Sequence, residues 1–198
     1  MMSPKNKADL FDITFVGAGP TGLFGAFYAG LREMKVKVID ALPQPGGQLI
    51  ALYPDKMIYD TPGFPAILSK ELASCLTEQA SQWKPFMALG ERAINLTRAP
   101  LPGDDEGQEC LVLETDKDIH YSRTVVIAAG IGAFRPTKLN NESITRFEGK
   151  GVKYWLKDVD DYAGMRVLII GGGDSAVDWS LALEPIAEHV TLMHRREG

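Results

Sequence analysis

The stretch "FVGAGPTG", residues 15–22, joins the apolar run "DITFV" (Asp12–Val16) to a segment of small and apolar residues. A short run rich in β-branched and aromatic residues is the pattern of a buried parallel strand. Gly17, Gly19 and Gly22 have the GxGxxG spacing. The first glycine allows the tight turn off the strand, the second lets backbone approach a pyrophosphate, and the third lets helix and strand pack closely. A helix to about Glu33 and a second strand, "VKVID" (Val36–Asp40), complete a βαβ unit. Asp40 ends that strand 23 residues after Gly17, where a carboxylate can accept from a ribose 2'-hydroxyl. In this context the loop reads as a dinucleotide site with phosphates at the helix N-terminus; a merely structural glycine turn is the competing reading.

A second loop, "IIGGGDSA" (residues 169–176), repeats the arrangement. It follows "RVLII" (Arg166–Ile170), with Gly171, Gly173 and Ala176 in the GxGxxA variant and Asp174 and Ser175 at the start of a helix that Pro185 ends. The next strand, "HVTLM" (His189–Met193), runs into "HRR" instead of an acid. Arg195 and Arg196 can grip a 2'-phosphate through charge-assisted bonds, against the alternative of two solvated turn arginines. At roughly 1.5–3 kcal/mol per such bond, one is enough for about a tenfold preference. NADP(H) is therefore expected here. Two dinucleotides in one chain point to electron transfer between them, with FAD as the partner able to accept a pair and release single electrons.

Composition agrees with an ordinary globular chain: 198 residues, 45% hydrophobic and 24% charged. The net charge of -5 argues against nucleic acid or an anionic membrane as the main partner, since both require a concentrated positive field. The uncharged stretch Ile13–Leu31 is 19 residues long, but five glycines and a proline interrupt it. It reads as strand, turn and helix, not as a membrane span. Cys75 and Cys110 are too far apart for CxxC, which fits a reducing cytoplasm. His120, His189 and His194 lack metal-ligand spacing and are expected to be structural or surface residues.

Between the loops, residues 41–68 are dense in Pro and Gly and predict a long, irregular, ligand-wrapping connection. Ser69 is expected to cap a helix to about Trp83, with Leu72, Cys75, Leu76, Ala80 and Trp83 as its apolar stripe. Phe86–Tyr121 predicts short antiparallel strands, with Asp104, Asp105 and Glu106 in a solvated turn, and "TVVIAAG" (Thr124–Gly130) another buried strand.

The stretches "GAGPTGLFGAFYAG", "LPQPGGQLIALYPDKMIYDTPGFP", "VVIAAGIGAFRP" and "GGGDSAVDWSLALEPIAEHVTLMHRR" resemble disulfide-reductase-type flavoproteins, and more narrowly the thioredoxin-reductase-like class of ferredoxin-NADP(+) reductases. The resemblance covers nearly the whole chain. It implies FAD contacts at Thr21, Asp40, Gln48, Tyr53, Ala93 and Phe134, with Gln48 by the flavin ring and Tyr53 stacked on it. The family more often has Glu at the position of Asp40, and plain core aromatics are the alternative for Tyr53 and Phe134. Thioredoxin reductases carry a CxxC just before the second glycine loop; here that stretch is "GKGVKYWLKDVDDYAG". Without a thiol pair, electrons must leave the flavin directly, which suits ferredoxin or flavodoxin. No protein acid, base or nucleophile is required, so no catalytic residue is assigned.

The expected architecture is α/β: two Rossmann-like three-layer domains, residues 1–138 binding FAD and residues 139–198 beginning an NADP(H)-binding domain that is incomplete. The chain reads as about 60% of a full enzyme, and the resemblance implies a homodimer. The competing functions are an NADPH-dependent flavoprotein of another acceptor class, such as a monooxygenase or quinone reductase, and a non-catalytic nucleotide-binding module.

Overall fold

A computed structural model describes residues 10–103, 108–132, 138–139, 141–156 and 158–195. The chain divides into two compact units, Met1–Arg135 and Pro136–Gly198. Asp104, Asp105, Glu106, Phe134 and Arg196 lie outside the described residues.

The first unit opens with β1 (Leu10–Val16), α1 (Pro20–Gly30) and β2 (Val36–Asp40). The short α2 (Gln48–Ala51), the two-residue strands β3 (Met57–Ile58) and β4 (Ile67–Leu68), and α3 (Ser69–Ser81) follow. β5 (Phe86–Leu89), β6 (Ala93–Pro100), β7 (Glu109–Thr115) and β8 (Ile119–Ile127) complete it. The sheet order is β5-β2-β1-β8-β7-β6. β5, β2, β1 and β8 run parallel, and β6 and β7 extend the sheet antiparallel. The parallel part is buried by α1 and α3, whose Leu23, Ala26, Ala29 and Ala80 pack with Phe15, Val36 and Val38. Small residues on α1 allow this close approach: a Cβ on Gly25 would fall 2.4 Å from the Phe15 ring, and one on Gly30 2.4 Å from Trp83.

Several expectations change. β5 pairs with β2 in parallel, Lys37 opposite Phe86, so the segment from Phe86 is not wholly antiparallel. Strand direction follows from the α3 crossover, which local alternation does not encode. Residues 41–68 hold α2 and the antiparallel β3–β4 pair inside their turns. Ser69 does not cap α3. The N-cap position is Leu68, and the Ser69 hydroxyl and backbone N–H both donate to the Lys56 carbonyl, each at 2.9 Å. Cys75 is exposed, and Ala73 takes a buried place on the helix. α1 stops at Gly30, with Glu33 at a φ of 58° incompatible with continued helix. The strand expected to be buried from Thr124 begins earlier, at Ile119, and Ile127 at its end is 74% exposed.

The second unit contains α4 (Glu142–Thr145), a 3-10 turn (Asp160–Tyr162), β9 (Arg166–Ile170), α5 (Asp174–Leu183) and β10 (His189–Met193). β9 and β10 pair in parallel, Arg166 opposite His189 through Ile170 opposite Met193, which requires the crossover that α5 supplies. Ile169, Ala176 and Leu183 form its core with Val167, Trp179 and Val190 packed around them. Leu168, Ile170, Leu192 and Met193 are exposed. Both units are thus Rossmann-like α/β structure.

Candidate functional site

In the first unit the chain runs from β1 to β2 and β5 on one side, then returns to place β8 on the other. The gap beyond the carboxyl ends of β1 and β8 is a topological switch point, where open α/β sheets bind ligands. A cleft of about 310 Å³ lies there. Gly17, Gly19, Thr21, Asp40, Gln48 and Ala93 all line it, so the fold gathers six residues spread over most of the unit. Gly22 lies beneath, buried in α1. Tyr53 is half-buried with the Lys56 ammonium 5.8 Å from its ring, and does not contribute to the lining described.

The glycines serve different ends. Gly17 has a φ of 113°, and a Cβ there would lie 2.3 Å from the Ala128 carbonyl oxygen. A Cβ on Gly22 would lie 1.8 Å from the Gly17 oxygen. Fold closure demands both. Gly19 is extended, and its added Cβ would meet only the Gly47 Cα, at 3.9 Å. Next to it the N-terminus of α1 has Pro20 in its first turn, no side-chain cap and no acid, an arrangement that presents backbone N–H groups to an anion.

The loop 44–47 docks on this turn. Gly46 donates to the Ala18 carbonyl at 2.8 Å, and a Cβ on Gly47 would fall 2.8 Å from the Gly19 Cα. Gln48 follows, its Nε2 3.1 Å from where a Cβ on Gly130 would stand. Asp40 accepts from Ala18 N–H at 2.5 Å through Oδ2 and from Leu42 N–H at 2.8 Å through Oδ1. It therefore binds the glycine loop itself, while each oxygen retains a lone pair for a further donor.

Glu91, Arg92, Gly130 and Gly132 also line the cleft, and none was assigned to the site from the sequence. The glycines of "AAGIG" were the signal the sequence offered for two of them, and both take positive φ, 55° at Gly130 and 77° at Gly132. Glu91 offered none, because its partners are distant in the chain: His120 Nε2 is 2.6 Å from Oε1, and the Thr115 hydroxyl donates to Oε1 at 2.6 Å. Burial pushes the Glu91 carboxyl up, but the bonds from Thr115 and His120 outweigh it and hold the group below the usual carboxylate range. A lowered folded-state value stabilises the fold above the unfolded value and loses that contribution as pH falls through the folded one. Glu91→Gln should therefore cost about 1–2 kcal/mol at pH 7, the deficit shrinking once pH drops below the ordinary carboxylate range. Urea unfolding of both proteins from pH 7 to pH 3 checks this; a deficit constant across the range would show that the charge contributes nothing.

In the second unit, Gly171, Gly173, Asp174 and Ser175 border a shallow depression of about 400 Å³ with Ala176 and Trp179. Gly173 is the N-cap of α5, with no side-chain cap. Ala176, which ends the motif, accounts for the glycine that opens it: a Cβ on Gly171 would stand 3.0 Å from that of Ala176. Arg195 is exposed beyond β10 and is not among the lining residues described. His194, expected to be a structural or surface residue, lies against Gly172, whose Cβ would fall 2.0 Å from its ring.

Cys110 is buried and Cys75 exposed, both unbonded, and burial pushes the Cys110 thiol up, away from reactive thiolate character. Among the described residues no group of three His, Cys, Asp or Glu side chains could hold a metal ion, and no helix is long and apolar enough to cross a membrane.

Comparison with known proteins agrees with this geometry. The chain is 51% identical over 196 residues to a ferredoxin–NADP reductase of Geobacillus kaustophilus, covering 99% of this chain and 57% of the relative. It is 50% identical over 191 residues to a ferredoxin–NADP reductase of Halalkalibacterium halodurans, covering 96% and 56%. The chain thus spans a little over half the length of these curated relatives. Among solved structures, thioredoxin reductase of Lactococcus lactis superposes with a TM-score of 0.71 at 27% identity, over 94% of this chain and 57% of that one. The family model for pyridine nucleotide-disulphide oxidoreductases matches residues 11–198. With a glycine-loop cleft at the switch point of one α/β unit and a second such loop in the other, the chain belongs to the pyridine nucleotide-disulphide oxidoreductase family.

Proposed function

We propose that these residues form the FAD-binding part and the beginning of the NADP(H)-binding part of a reductase that passes electrons between NADPH and ferredoxin or flavodoxin without a redox-active disulfide. The observation that carries this is the first cleft. Its Gly17–Gly19 turn, uncapped α1 N-terminus and Asp40 carboxylate fit the pyrophosphate and ribose of a dinucleotide. The names of the two relatives supply the acceptor class.

FAD, when bound, supplies the capacity to take electrons as a pair and release them singly. The chain's own residues bind and orient. Backbone N–H groups at Thr21 and Gly22 would hold the phosphates, Asp40 would accept from ribose, and Ala93 would border the base. Gln48, held over Gly130, and Tyr53 and Phe134 are proposed at the flavin end. Gly171, Gly173, Asp174 and Ser175 form the phosphate turn for NADPH, with Arg195 and Arg196 on its 2'-phosphate. No side chain is assigned a catalytic proton. With Cys75 on α3 and Cys110 buried on β7, no adjacent thiol pair diverts electrons to a dithiol.

This reading carries two three-layer domains divided at 138/139, the second incomplete in these residues, a cytoplasmic setting and a homodimer. NADPH-driven reduction of cytochrome, measured with and without ferredoxin on the FAD-loaded chain, tests the function. The rate should depend on ferredoxin; equal rates without it would favour another acceptor class, and a chain that binds NADPH but never becomes coloured would favour a non-catalytic module.

A further inference from the structure

β2 carries one buried cation among Val36, Val38 and Ile39, ahead of the Asp40 carboxylate at its end. Lys37 is 5% exposed, and its Nζ lies 2.8 Å from His120 Nδ1 and 4.0 Å from the centre of the Phe11 ring. The imidazole, 6% exposed, continues through Nε2 to Glu91 Oε1 at 2.6 Å. Glu91 is 9% exposed and borders the cleft. An ammonium only donates and a carboxylate only accepts. The donor count therefore selects neutral His120 with its proton on Nε2, accepting from Lys37 at Nδ1 and donating to Glu91.

The chain of bonds does not stop at Glu91. Its backbone N–H donates to the Asp40 carbonyl at 2.9 Å, and Gly90 donates to the Leu42 carbonyl at 2.7 Å. Asp40 in turn holds Ala18 of the glycine turn. On the far side Arg92 is clamped by Asp116, which accepts from Arg92 N–H at 2.8 Å and donates its own N–H to the Arg92 carbonyl at 3.0 Å. Burying three titratable groups is costly, and apolar residues of similar volume would stabilise the fold at least as well. What the network adds is a defined position for one wall of the cleft.

We propose that Lys37, His120 and Glu91 are positioning residues for the adenosine end of the dinucleotide cleft, His120 acting as a neutral bridge that sets the Glu91–Ala93 segment against Asp40. This rests on the reading of that cleft as the FAD site. Loss of the bridge frees the segment to shift, and cofactor affinity falls even where the fold holds.

The test is FAD affinity, measured by quenching of flavin fluorescence, beside the melting temperature. His120→Phe keeps ring volume but offers neither acceptor nor donor, and should weaken FAD binding by about tenfold. His120→Gln offers both in one amide and should stay within about threefold of the parent; equal loss in both overturns the proposal. Because His120→Phe leaves two buried charges without their bridge and can unfold, the triple variant Lys37→Met, Glu91→Met, His120→Phe removes them together. It should melt no lower than the parent yet bind FAD about tenfold more weakly. Parental affinity in the triple variant overturns the proposal, as does an Nδ1–H tautomer of His120 in nitrogen NMR of the parent. A parent chain that takes up no FAD overturns the reading of the cleft, and this inference with it; parental uptake with unaffected variants overturns this inference alone.

Discussion

Gly17→Ala will destabilise the chain by about 3 kcal/mol or more and abolish uptake of the cofactor. The residue has a φ of 113°, where an L side chain is strained. Its new Cβ would stand 2.3 Å from the Ala128 oxygen, 2.8 Å from the Ala128 carbonyl carbon and 3.1 Å from the Ala129 Cα. All three are backbone atoms, so no rotamer change relieves the clash. Nor can the segment drift away, because Ala128 N–H donates to the Val16 carbonyl at 2.8 Å at the end of the β1–β8 ladder. The lost stability is read from urea unfolding without cofactor; an unchanged midpoint would mean that the turn does not have this geometry.

Gly19→Ala should behave in the opposite way. The backbone is extended, with a φ of -77° and ψ of -175°, and the nearest neighbour of the new methyl, the Gly47 Cα at 3.9 Å, is at ordinary contact distance. Unfolding should therefore be unaffected to within about 0.5 kcal/mol. The methyl nonetheless projects into the cleft beside the α1 N-terminus, where a pyrophosphate must come against bare backbone. Affinity for FAD should fall by about a hundredfold. The two alanines thus separate a glycine required by the fold from one required by the ligand. Full affinity in Gly19→Ala would place the phosphates elsewhere and remove the main support for the cleft as a dinucleotide site.

How far the sequence could be read depended on how local each constraint was. Strand, turn and helix in both glycine units follow from neighbours within a few residues, and both were found where expected, α5 ending at Leu183 ahead of Pro185. The parallel course of β5, the β3–β4 pair inside the proline-rich connection, and the work of Ser69 on Lys56 depend on partners brought from elsewhere. Site residues divide in the same way. Those in a spaced motif or in the stretches of family resemblance could be named, and Gly17, Gly19, Thr21, Asp40 and Gln48 line one cleft together with Ala93, which the resemblance alone implied. Glu91 and Arg92 belong to no motif, and became visible only once β7 and β8 were folded beside them.

By itself, then, the sequence determined two strand–glycine–helix turns, a carboxylate after the first, basic residues after the second, and no adjacent thiols. Each rests on chemistry carried by residue type and short spacing. Tertiary structure alone decided that Gly17 faces Ala128, that Asp40 spends bonds on Ala18 and Leu42, and that a lysine in an apolar strand is answered by a histidine 83 residues away. Those contacts depend on strand order, which places β8 against β1 and so joins segments that the chain itself keeps far apart.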